Sequence, residues 1–207
     1  PAAGRPDDGE QPMKRSLRPL GLLYLALVLS ACSLTPPVSP TPPLAAATTT
    51  DTLKSRLTFQ PDEGEPRTLI AFIQIDPDRL RAVLVTPYGQ RVTTLIRDAD
   101  GARFEAGDAP GESPLPIPPA WLASRLEWSL WPLDALRDAF DGSAWQVADS
   151  STHRDILYRG ELAARITPVP DRDHARTLTL NDRQGDYRLT IDPMRESDDG
   201  EELMEKN

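Results

Sequence analysis

A mainly β domain of the α+β kind, a curved antiparallel sheet interrupted once by two helices, is what this sequence predicts. Between residues 52 and 194 short apolar segments alternate with polar residues at a period of two. Clusters of Gly, Pro, Asn and Asp punctuate them as turns. Only one stretch, residues 119–142, changes to a helical period.

The elements follow in order. Leu53, Ser55, Leu57 and Phe59 alternate with Lys54, Arg56, Thr58 and Gln60, the pattern of a half-buried strand. Residues 67–76 are apolar on both faces, Ile70 and Phe72 against Leu69, Ala71, Ile73 and Ile75, which predicts a mid-sheet strand covered on each side. Segments 79–86 and 91–97 flank Pro87-Tyr88-Gly89-Gln90 as a hairpin, and the turn 98–101 leads into a strand over 102–106. After a loop rich in Gly and Pro, Leu122, Leu126 and Leu130 at four-residue steps, with Trp121 and Trp128 seven apart, predict a helix. Pro132 ends it and opens a second, whose Leu133, Leu136 and Phe140 share a face and which Gly142 stops. Strands resume at 145–148, at 154–158 and 161–167 around an Arg159-Gly160 turn, and at 176–180 and 187–192.

The region before the domain reads as an address and a tether. Lys14, Arg15 and Arg18 precede an apolar run, Leu20 to Leu29, and small residues lead to Cys32, the single cysteine of the chain. Residues 13–31 have the three-part grammar of a secretory signal, and an apolar core of about ten residues is too short to span a bilayer. Residues 1–12 are read as a non-native upstream extension. Leu29-Ser30-Ala31-Cys32 resembles the lipobox of bacterial lipoproteins. That resemblance implies that Cys32 becomes the first mature residue and carries a thioether lipid, an anchor that is effectively permanent once two or three acyl chains are attached. It also implies, with Ser33 and not aspartate after the cysteine, an outer-membrane destination at the periplasmic face. The five prolines of residues 33–50 predict an extended, solvated tether, so that 32–51 is anchor and spacer. The acidic end, 195–207, reads as a solvated disordered tail.

Within the domain, VLVTPYGQRVTTLI, WPLDALRDAFDG, ILYRGELAARI and LTLNDRQGDYRLTID resemble, in order, the Pro-Leu-Gly hairpin, the Pro-Leu-x-x-Leu-Arg helix, the following hairpin and the final strand pair of the LolB family of outer-membrane lipoprotein receptors. The chain also resembles uncharacterised lipoproteins related to that family, some of them encoded beside aryl-polyene biosynthesis genes. The resemblance implies an incomplete LolA/LolB-like antiparallel barrel around a hydrophobic cavity, with the helices as a lid over one mouth. It implies as partners the membrane, an acyl or polyene-type amphiphile or a lipoprotein, and a periplasmic carrier.

An acyl chain crossing water costs about 0.8 kcal/mol for each exposed methylene, so a lipid-handling protein needs an apolar hollow. Ile70, Phe72, Leu84, Ile96, Trp128, Leu130 and Leu136 are the candidate liners, and the same residues would equally serve a solid core. Tyr88 stands where the resembled hairpin holds an exposed leucine that meets the membrane; an aromatic hydroxyl suits a water–lipid interface or a partner, and a plain turn explains it as well. Arg137 reads as a head-group ligand or as the ion-pair partner of Asp134 or Asp141.

Chemistry of other kinds finds little footing. His153 and His174 lie in polar segments, and the sequence has no Gly-x-Ser-x-Gly elbow, phosphate loop or zinc-helix motif. Asp171, Asp173 and His174 lie together, as a solvated loop or a sparse metal site. No catalytic residue, metal or cofactor beyond the covalent lipid is expected. The chain carries 23 basic and 32 acidic residues, and loss of residues 1–31 removes four and three of these, leaving a net charge near −10 that speaks against nucleic acid. The expectation is a monomeric lipoprotein that binds or shuttles a hydrophobic moiety. The alternative is a structural or assembly lipoprotein with a filled barrel that works through protein contacts.

Overall fold

The computed structural model describes residues 37–47, 52–106, 115, 117–169 and 176–194. Among these, ten strands form one antiparallel sheet: β1 Leu53–Pro61, β2 Arg67–Asp76, β3 Arg79–Val85, β4 Arg91–Asp98, β5 Gly101–Ala106, β6 Trp145–Asp149, β7 Arg154–Tyr158, β8 Glu161–Val169, β9 Thr177–Asp182 and β10 Tyr187–Pro193. Two helices, α1 Pro119–Leu130 and α2 Leu133–Phe140, are inserted between β5 and β6. The strand order is β5-β4-β3-β2-β1-β10-β9-β8-β7-β6, so the first and last strands of the chain pair in the middle and β5 and β6 are open edges. Each predicted strand and helix is present, with ends displaced by one or two residues.

Register places one apolar row after another on a single face. Ile73, Ala82 and Leu95 lie side by side across β2, β3 and β4, as do Leu189, Leu180 and Ile166 across β10, β9 and β8, and all six are buried. Each such side chain, fully withdrawn from water, contributes about 1.5–3 kcal/mol. Against this face lies α1, and it is enclosed: Trp121 through Trp128, eight consecutive residues, are buried. Its Arg125 reaches β9 and its Glu127 reaches β4. In a flat sheet those strands would stand five spacings apart, about 24 Å at ~4.8 Å each. All eight residues from Trp121 to Trp128 are buried, so no side of α1 is open to solvent and the sheet must curl around it.

Three expectations change. β2 was expected to be covered on both faces, but only Leu69, Ala71, Ile73 and Ile75 face the core; Ile70 is half-buried and Phe72 is 37% exposed on the other side. The period of two decides it, since apolar residues at odd and even positions cannot all meet a single helix layer. The helices were expected to close a mouth, whereas α1 occupies the concave face itself. Residues 37–47, expected as solvated spacer, pack on the domain: Ser39 and Leu44 are buried, and a single 3₁₀ turn, Leu44–Ala46, lies against β2. Their carbonyls and one hydroxyl meet donors that would otherwise be orphaned. Arg97 donates to the Pro42 carbonyl at 2.6 Å, Trp131 Nε1 to the Pro43 carbonyl at 3.0 Å, and Trp128 Nε1 to Ser39 Oγ at 2.9 Å.

Candidate functional site

The seven candidate liners divide between the two faces of the sheet. Leu84, Trp128 and Leu136 are fully buried in the core, and half-buried Leu130 packs against it. Ile70, Phe72 and Ile96 lie on the face away from α1; Ile96 is buried between Arg81 and Arg103 of the neighbouring strands, and Lys54 Nζ stands 5.9 Å from the Phe72 ring. The structure therefore brings four of the seven together, and as packed core. The rotation of β2 and β4 by one residue relative to the expected inward row is the reason for the other three.

Inside, α1 carries two charges that the hydrophobic pattern had masked. Arg125 Nε lies 2.6 Å from Asp182 Oδ2, with both side chains wholly buried. Its guanidinium sits between the rings of Trp121 and Trp128, at 4.1 and 4.2 Å, one turn to either side on the same helix face. Asp182 Oδ1 accepts the amide N–H groups of Gln184 and Gly185, which fixes the turn into β10. Glu127 is likewise buried, 2.8 Å from Arg97 Nε, yet neither carboxylate oxygen has a well-aligned hydrogen bond among the described residues. Burial outweighs the Arg97 charge and pushes the Glu127 carboxyl up to about 7. At the C-terminus of α1, Arg154 Nη1 donates to the carbonyls of Trp128 and Trp131 at 2.9 Å each, satisfying groups that a helix end leaves free.

One apolar cleft opens beside this cluster. Phe59, Pro61, Leu115, Ile117 and Tyr187 form its walls and Glu65 and Arg67 its rim, around a volume of about 330 Å³. Gly185 forms part of its floor because a β-carbon there would lie 2.6 Å from the Trp121 ring and 2.7 Å from that of Tyr187. Those rings meet at 4.4 Å between centroids, and the Tyr187 hydroxyl is buried without a hydrogen-bond partner among the described residues. Burial, followed by the Asp182 carboxylate, raises the Tyr187 phenol above its ordinary value, so it remains a neutral donor. Sequence reasoning missed the cleft because its walls come from three separated segments, and it missed Arg125, Glu127, Arg97 and Asp182 because charges in helices and strands are ordinarily solvated. The signal was present in Trp121-Leu-Ala-Ser-Arg-Leu-Glu-Trp128, where both charges stand between tryptophans.

Other singled-out residues lie at the surface. Tyr88 is 97% exposed at the tip of the β3–β4 turn, where Gly89 takes a φ of 83° and its N–H reaches the Thr86 carbonyl. Arg137 pairs with Asp134 at 3.2 Å across one helical turn. His153 Nδ1 lies 3.0 Å from Ser150 Oγ and its Nε2 3.5 Å from Asp155, an order that resembles a hydrolase triad. The Ser150 oxygen is, however, engaged by its own turn, accepting from the N–H groups of Thr152 and His153. Asp155 is held by Arg165 through two contacts of 2.7 and 2.8 Å, which lower its carboxyl below the usual range. Cys32, the cluster Asp171, Asp173 and His174, and the acidic end lie outside the described residues.

No curated protein matches the sequence. Residues 52–195, spanning all ten strands and both helices, match the profile of a family described as a protein of unknown function, DUF3261. With this match over most of its length, the chain belongs to the DUF3261 family.

Proposed function

We propose that this protein is a lipid-anchored, non-catalytic binder of one slender hydrophobic group, an acyl chain or polyene-type amphiphile, and that the group occupies the Phe59–Ile117–Tyr187 cleft. The cleft carries the reading: its volume falls at the small end of ligand pockets, which run roughly 300–1,000 Å³, and its walls are apolar with charge confined to the rim. A single chain fits such a site, whereas a lipoprotein bearing several does not. Cys32, acylated, would hold the domain at the periplasmic face of the outer membrane. The filled concave face of the sheet favours a second reading, an assembly lipoprotein that acts through protein contacts.

Displacement of a fluorescent fatty-acid probe from the chain starting at Ser33 distinguishes the two. Binding is expected at micromolar probe, and Ile117→Trp, which fills the cleft, is expected to weaken it by about tenfold, or about 1.4 kcal/mol, with an unchanged melting temperature. Absence of binding, together with co-purification of a protein partner, would instead support the assembly reading.

A further inference from the structure

The sheet has two distinct ends, and the register says what lies at each. At one end are the β2–β3 turn (76–79), the β4–β5 turn (98–101), the C-terminus of α1 and the docked segment 37–47, held by Arg97, Trp128 and Trp131. At the other are the β1–β2 turn (61–67), the cleft, the N-terminus of α1 and Tyr88. The docked segment shortens the stretch of sequence between Cys32 and the domain. From Cys32 to Val38 there are six Cα–Cα steps, which extend at most about 22 Å. A ten-residue strand such as β2 is about 33 Å long. An anchor at Cys32 therefore reaches the bilayer from the docked end, whereas a domain standing on its cleft end would hold Val38 beyond that reach.

We infer that the end of the sheet bearing Asp78 and Asp100 faces the bilayer, and that the cleft and Tyr88 face the aqueous compartment. The inference rests on the lipidation of Cys32 proposed above. At the turns of the bilayer-facing end Asp76, Asp78, Asp98 and Asp100 outnumber Arg79 and Arg103, so the acyl chains and not adsorption to anionic lipid hold it there. A hydrophobic group reaching the cleft then arrives from the aqueous side.

The test uses the full-length lipidated protein, whose own cysteine sulfur is blocked by its thioether. Asp78→Cys and Tyr88→Cys, each labelled with a small fluorophore, are reconstituted into phosphatidylethanolamine–phosphatidylglycerol vesicles containing a head-group nitroxide lipid. Quenching several-fold stronger at position 78 than at 88 is expected. Equal or stronger quenching at 88, or quenching at neither position, on protein shown by mass to be acylated at Cys32 would overturn the orientation. Absence of acyl mass on the vesicle-bound protein would overturn the anchor itself, a separate failure.

Discussion

Glu127 keeps a carboxyl in the interior at the cost of its ordinary acidity. Its folded value, about 7, lies above the unfolded one near 4.5, so between those values the native state binds a proton that the unfolded chain has released. Stability from this group is thus fully present below about pH 4.5 and falls as pH rises toward 7, by about 3 kcal/mol over the interval. Urea unfolding of wild type and Glu127→Gln across pH 4.5 to 8 measures it, and the difference between the two curves should show that fall. Arg125 behaves otherwise because its partner is fixed. Arg125→Met leaves Asp182 buried without a counter-charge, and a loss of about 3–5 kcal/mol is expected. Adding Asp182→Asn, which keeps an oxygen for the Gln184 and Gly185 amides, should restore most of it in the same urea titration. Neither pair was legible in sequence, since Arg97 and Asp182 lie 30 and 57 positions from their partners and look like ordinary strand polarity.

At the scale of elements, segment 37–47 behaves as a component of the domain. It buries Leu44, satisfies two indole N–H groups and gives Arg97 a carbonyl. A chain starting at Thr52 should therefore unfold at lower urea than one starting at Ser33, by about 1–3 kcal/mol, because truncation leaves the buried indole and guanidinium donors unpaired. Proline richness gave the wrong expectation because a polyproline-like chain leaves every carbonyl unpaired and so suits docking as well as solvation. Helix α1 was legible in its leucine and tryptophan spacing. Its enclosure was not, because two paired charges count as polar in any periodicity. The turns were the most legible of all: Pro87–Gln90, Asp98–Gly101 and Arg159-Gly160 stand where residue chemistry put them.

For the whole molecule, the alternation along each strand announced a single antiparallel sheet, and the open order from β5 to β6 bears out its mainly β class. Which face of each strand turns inward depended on α1, a layer that strand patterns alone cannot locate; Ile70, Phe72 and Ile96 were misassigned for that reason. The proposed binding in the cleft, the pH response at Glu127 and the proposed orientation at the bilayer have separate readouts and can be measured one by one. The bonds from Trp128 to Ser39 and from Trp131 to Pro43 span 89 and 88 residues. During synthesis, which runs from the amino end, residues 37–47 emerge long before the surface they dock on exists. The piece of the domain made first is thus among the last to find its place, and a growing chain halted before residue 131 would leave it open to proteases.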